Sequence, residues 1–191
     1  HAEAEIAQIQ MSEVQENEKI RQEIQQKAAE SAGEINAEIQ TLCDKYITEF
    51  KENMEADGYQ ALDISHEIVQ TNDQYFTLKI ICIYSAADSA EWNYYYTIDL
   101  ATGERLALSD LFIDGSDYIT PISENIKEQM AEQMTADENI IYWINDPDFP
   151  EFNFSSITDE TEFYLDEKGS LIISFQEGDV APMYMGVCTF E

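Results

Sequence analysis

The hydrophobic period of this chain changes once, at Gly58, and that change constrains the fold more than any other feature. The 57 residues before it contain no proline and a single glycine, Gly33. Apolar side chains recur at Ile20, Ile24, Ala28, Ile35, Ile39, Leu42, Tyr46, Phe50 and Met54. Steps of three, four and seven place them on one face of a helix. Residues 1–34 are polar, with weak anchors at Ile6, Ile9 and Val14, and are expected to form a separate N-terminal helical segment, a candidate juxtamembrane element. From about Ile35 to Met54 the helix should pack firmly. Asp57-Gly58 should stop it, the glycine taking the left-handed cap. An isolated coiled coil is the competing reading, but the apolar repeat is not sustained as strict heptads.

Beyond Gly58 the period drops to two. Ala61 to Gln70 alternates, with Leu62, Ile64, His66 and Ile68 on the inward side. Tyr75 to Tyr84 is a strong strand whose Phe76, Leu78, Ile80, Cys82 and Tyr84 share a face. Thr71-Asn72-Asp73 suits the turn between these two strands. Ser85 to Glu91 reads as a small polar loop and Trp92 to Leu100 as a third strand, followed by a turn at Ala101 to Glu104 and by Leu106-Ala107-Leu108. Ser109 should cap a short helical turn. A second helix is predicted from about Tyr118 to Ala136, with Pro121 tolerated in its first turn and Ile122, Ile126, Met130 and Met134 as its inner stripe. Residues 145–158 are loop-like. A hairpin from Glu162 to Phe175, turning at Asp166 to Gly169, and a last strand from Tyr184 to Phe190 complete the chain. Helix, three strands, helix, three strands predicts an α+β fold: a mostly antiparallel sheet with a long N-terminal helix and a second helix packed on one face. Residues 35–191 should form one sensing or binding domain, a size that allows a real core.

Charge narrows the partners. Forty acidic residues face nine basic ones, a formal net charge of −31. From Tyr59 onward the only basic residues are Lys79, Arg105, Lys127 and Lys168. Such a surface repels nucleic acid and anionic lipid and speeds encounter with basic proteins. It also serves solubility alone, so composition leaves both roles open. No run of apolar residues is long enough to span a membrane.

The inventory for catalysis is thin. His66 sits at an inward strand position and reads as a structural residue. No nucleophile elbow, zinc-protease helix or phosphate-binding loop occurs. Cys43, Cys82 and Cys188 form neither a disulfide framework nor a metal-binding C-x-x-C pair. Cys82 and Cys188 could meet in the core, although buried free thiols are the simpler reading. Asp146, Asp148 and Glu151 could hold calcium, but their order lacks the glycine and terminal glutamate of an EF-hand. An enzyme relying on carboxylates alone is therefore the weakest reading. No catalytic, cofactor-binding or metal-binding residue is assigned, and no cofactor is implied.

Aromatic residues remain. Trp92, Tyr94, Tyr95 and Tyr96 share a strand, so half of them must be core. Tyr142, Trp143, Phe149, Phe152 and Phe154 surround the proline-bearing loop. Pro182, Tyr184 and Met185 precede the last strand. Tyr and Trp anchor interfaces because they bury large rigid area and keep a polar tip. Loop members, Tyr184 above all, are the better candidates for an exposed anchor.

Three runs bear a resemblance together that none carries alone: YYYTIDLATGERLALSDLF (94–112), DYITPISENIKEQMAEQM (117–134) and FYLDEKGSLIISFQEGDVAPMYMG (163–186). Across residues 35–190 the chain resembles the extracellular domain of RsiV-type anti-sigma factors, a family also found in lipoproteins and beside peptidoglycan deacetylase domains. The resemblance implies an extracytoplasmic, non-catalytic domain tethered by a membrane segment outside this chain. It would bind lysozyme or another basic protein, and binding would expose a site to proteolysis that frees a sigma factor held by a cytoplasmic segment also outside this chain. It points to Pro182, Tyr184 and Met185 as contacts, with Asp179 beside them, and secondarily to Glu91 and Trp92. Gln176-Glu177-Gly178-Asp179 stands where members often carry an acidic-aromatic pair, a departure that bears on specificity more than on fold. The alternative is a cell-wall-binding module of a lipoprotein or peptidoglycan-modifying protein.

Overall fold

The computed structural model describes residues 2–54, 58–71, 73–147 and 150–191, with side chains from Gln15 onward apart from positions 70 and 71. The first helix, α1, runs Ala2–Asn53. It is followed by β1 (Ala61–Thr71), β2 (Tyr75–Ser85), β3 (Ser89–Asp99) and β4 (Arg105–Leu106), then α2 (Ile119–Ala136), β5 (Phe163–Leu165), β6 (Leu171–Phe175) and β7 (Cys188–Phe190). The class is α+β, as the pattern predicts. The strands form two antiparallel sheets rather than one, in the orders β1-β2-β3-β4 and β5-β6-β7.

Each sheet has its own helix and core. Beneath α1, Ile35 and Tyr46 bury against Ile80, Cys82 and Tyr96, with Ile39, Leu42, Leu62, Ile64, Trp92 and Tyr94 at the margin. Beneath α2, Ile126 and Met130 bury against Ile173, Phe175, Cys188 and Phe190, and the predicted stripe is completed by Ile122 and Met134. Pro121 falls in the first turn of α2, where the missing N–H costs nothing. Asp117 stabilises that turn by accepting the Thr120 N–H at 3.0 Å.

Contact between α1 and the sheet starts near Ile24; the described side chains before it, 15–23, are all exposed. The closest approach is at the β3–β4 turn. A Cβ on Gly103 would lie 2.5 Å from the Ile24 carbonyl oxygen and 2.7 Å from the Ala28 nitrogen. Ser31 secures the turn: its hydroxyl donates to the Gly103 carbonyl at 2.8 Å and accepts the Arg105 N–H at 3.2 Å. At its other end α1 reaches Leu62, Tyr84 and Trp92, near the start of β1. The helix thus crosses the sheet on a diagonal and leaves one corner bare. His66 and Ile68 lie at that corner, and both are exposed instead of inward-facing.

Several local expectations shift. The loop predicted at Ser85 to Glu91 shrinks because β2 and β3 pair to their ends, Ser85 opposite Ser89. Ser109 is not a cap: it lies inside the 3₁₀ turn Leu108–Leu111, where Asp110 accepts the Ala107 N–H at 2.7 Å. The last strand shortens to Cys188–Phe190, with a 3₁₀ turn at Met183–Met185 before it. Cys43, Cys82 and Cys188 are free, the latter two in different cores, so they do not pair. Burial pushes the Cys82 thiol up to about 11, which keeps it protonated and inert. Asp57 and Asn72, expected at a helix stop and a turn, fall outside the described residues.

The Gly103 contact yields a prediction. Gly103→Ala forces a Cβ into the α1 backbone at a φ of 75°. The strain and overpacking together should cost about 2–4 kcal/mol. Gly115→Ala, also at positive φ but facing open space, should cost only about 1–2 kcal/mol. Urea denaturation of the two variants compares them directly; equal losses would mean that α1 is not seated on this turn.

Candidate functional site

β3 pairs with β4 over only two residues, Thr97 with Leu106 and Ile98 with Arg105. The rest of its outer edge would expose unpaired amides, a liability in any sheet. Side chains from the second layer close it. Glu177 accepts the Glu91 N–H at 2.8 Å, Gln176 accepts the Asn93 N–H at 2.7 Å, and Glu162 accepts the Tyr95 N–H at 2.8 Å. Gln176 also donates its amide to the Asn93 carbonyl at 2.6 Å, so one side chain reproduces both halves of a strand-pairing contact. Tyr95 stacks on Tyr164 of β5, with ring centroids 4.9 Å apart. This clamp joins the two sheets.

The clamp is ionisable. Burial pushes the Glu162 carboxyl up to about 7, against the opposing pull of the Tyr95 N–H and of Arg105. Asp179 supports the next turn by accepting the Gln176 N–H at 3.1 Å, and burial raises it too.

Directly after the clamp, the chain rises to the surface. The Trp143 N–H donates to the Val180 carbonyl at 2.8 Å, tying residues 180–185 to the segment 139–154. Tyr184 is 67 % exposed; its hydroxyl donates to the Asn139 carbonyl at 3.2 Å, which fixes the ring on the surface. Met183, Ile141 and Phe152 are also exposed. Trp143 packs its ring against Phe152 at 5.4 Å. The result is an apolar surface fixed by backbone hydrogen bonds. Lys168 is the only basic residue between Glu128 and Glu191, and Lys127 reaches over the Phe154 ring at 5.7 Å, so acidic residues outnumber basic ones in this layer.

Of the candidate contact residues, the fold brings Asp179, Pro182 and Tyr184 together. Glu91 joins them through the clamp, its own carboxylate accepting the Asn93 side-chain amide at 2.9 Å. Met185 is partly buried against the α2 core. Trp92 is not part of this group. It alternates to the opposite face of β3 and packs on Tyr46 of α1, centroids 5.6 Å apart. Gln176, Glu177 and Glu162 carry no sequence signal for their role, because it depends on an edge that only the tertiary fold creates. Of the acidic loop, Asp148 and the neighbouring Phe149 lie outside the described residues, and Asp146 is bridged through its backbone to Asn153. Among the described residues no three His, Cys, Asp or Glu side chains gather as metal ligands.

Comparison with known proteins bears on the fold. Residues 109–191 match the family described as a protein of unknown function, DUF3298. Over a longer stretch it matches an RsiV-type ectodomain. It is 37 % identical over 153 residues to the anti-sigma-V factor RsiV of Bacillus subtilis (strain 168), an alignment covering 80 % of this chain and 52 % of that protein. The chain therefore spans about half the length of that relative. A crystal structure of a DUF3298 member from Bacteroides fragilis NCTC 9343 superposes with a TM-score of 0.54 over 81 % of this chain and 60 % of the other, at 18 % identity, which supports the shared fold.

Two outcomes test the clamp. Below about pH 4.5 Glu162 is protonated in both folded and unfolded chains; as pH rises toward about 7 the unfolded chain ionises first, and the folded state loses stability. Glu162→Gln should remove that part of the slope, read as a smaller stability difference between about pH 5 and about pH 8 in urea titrations than the parent shows. Gln176→Ala should speed hydrogen exchange at the Glu91, Asn93 and Tyr95 amides by roughly tenfold while leaving the β1–β2 ladder unchanged.

Proposed function

We propose that this chain is the extracytoplasmic sensing domain of an anti-sigma factor, that its ligand is a cationic protein of the lysozyme kind, and that it acts without catalysis. Tyr184 carries the reading: a large aromatic, exposed at the surface, whose hydroxyl donates to the Asn139 carbonyl. Relatedness to RsiV supports an anti-sigma role, and the net charge of −31 favours a basic ligand. Long-range attraction would set the on-rate, and desolvation of Tyr184, Met183 and Phe152 would set the residence time. In the whole protein, occupancy would expose a cleavage site near the membrane, and proteolysis would free a sigma factor bound on the cytoplasmic side. Both the anchor and that cytoplasmic segment would belong to sequence outside this chain. Among the described residues no helix is long and apolar enough to cross a membrane.

Titration with a basic lysozyme at low salt should give saturable binding whose on-rate falls as salt is added. Tyr184→Ala should weaken it by about 2 kcal/mol or more, roughly 30-fold in Kd, mainly through faster dissociation. Absence of any heat or mobility shift at low salt would sink the proposal.

A further inference from the structure

A second concave surface lies on the other side of the first sheet. It is a cleft of about 400 Å³ between the last turns of α1 and the adjoining ends of β1, β2 and β3. A volume of this size lies within the range of small-molecule sites. Lys45, Glu49 and Asn53 line one wall at one-turn spacing along α1, and Leu62, Tyr84 and Trp92 form the other. Tyr46 and Phe50 lie between them. The rings are set at angles, Tyr46 to Trp92 at 48° and Phe50 to Tyr84 at 66°.

Two properties decide what this cleft suits. The first is charge. On a chain of net −31 this lining carries one cation, Lys45, and one anion, Glu49, so it lacks the acidic excess that would favour a basic ligand. The second is unspent hydrogen bonding. Among the described residues the Lys45 ammonium, the Glu49 carboxylate, the Asn53 amide, the Tyr84 hydroxyl and the Trp92 indole N–H have no hydrogen-bond or ion-pair partner. Lys45 lies 5.7 Å from the Tyr46 ring centroid and makes only that contact. Donors and acceptors therefore alternate along a neutral, aromatic-walled groove. A pyranose ring matches both: its C–H faces pack on aromatic rings, and its hydroxyls donate and accept around the edge. An apolar peptide would leave those polar groups unpaired, which is costly on burial.

We infer that the α1–sheet cleft is a binding site for a short neutral glycan. It is separate from the Tyr184 surface, which lies on the other layer, so the two sites succeed or fail independently. The test uses the 191-residue chain carrying Trp143→Phe, which leaves Trp92 as its single tryptophan. Chitotriose, cellotriose and maltotriose are titrated while Trp92 emission is followed. At least one should give a saturable change that is insensitive to added salt. Asn53→Ala and Glu49→Gln, both at exposed positions of α1, should each weaken it by roughly tenfold. Tyr184→Ala should leave it unchanged. The inference is overturned if no trisaccharide alters Trp92 emission up to its solubility limit in a chain that circular dichroism shows to be folded. It is equally overturned if the change survives intact in an Asn53→Ala, Glu49→Gln double variant, or if apolar peptides compete and sugars do not.

Discussion

The architecture depends on how the outer edge of β3 is closed. Five alternate amides, from Glu91 to Asp99, face the same way. Thr97 and Asp99 are satisfied by backbone, through Leu106 and the Glu104 carbonyl; Glu91, Asn93 and Tyr95 are satisfied by Glu177, Gln176 and Glu162. The two sheets are thus joined by a row of side-chain-to-backbone hydrogen bonds in place of a continuous ladder. Unpaired buried amides are expensive, so the second layer cannot drift from the first without exposing or orphaning them. Asn93 is 2 % exposed, and further along β3 Thr97 shares a buried hydroxyl contact with Thr77 at 2.9 Å, so buried polar groups lie along this strand.

The same joint explains how a surface turn is positioned. Gln176 and Glu177 lie immediately after β6, and Tyr184 follows within a few residues. With the start of this segment pinned to β3 and its middle pinned to Trp143, the 3₁₀ turn has little freedom when it reaches solvent. Ordering costs are then met on folding and not on association, which favours tight binding from a small contact. Met185, expected as a contact, is partly buried and packs against the core beneath α2.

Local periodicity made most of the elements legible. The helical face from Ile35 to Phe50, the alternation from Tyr75 to Tyr84 and the stripe from Ile122 to Met134 all match the folded chain, because each is set by which side chains must leave water. Two kinds of feature were not legible. One is coverage: His66 and Ile68 continue the inward alternation of Leu62 and Ile64, yet the diagonal of α1 leaves them bare. The other is the clamp, where a glutamine and two glutamates act as strand partners. Nothing in their spacing distinguishes them from the chain's many other acidic and amide side chains. Tyr184 was singled out correctly as a surface residue but in the wrong local structure; a strand would have alternated its neighbours, whereas the 3₁₀ turn presents Met183 and Tyr184 side by side.

The acidic excess acquires a direction from this geometry. Charge alone cannot choose between solubility and recognition, since both need only a surplus of carboxylates. What separates them is whether rigid apolar groups stand within the field. Around Tyr184 they do: Met183, Ile141 and Phe152 are exposed in a layer whose basic residues are Lys127, over the Phe154 ring, and Lys168. Around Trp92 the pattern inverts, with aromatic walls and a balanced lysine–glutamate pair. If the proposed ligand is cationic, the first surface suits it better than the second. The two faces of the molecule thus differ in lining as well as in shape, and Trp92, which the resemblance groups with Tyr184, packs against Tyr46 of α1 on the other face.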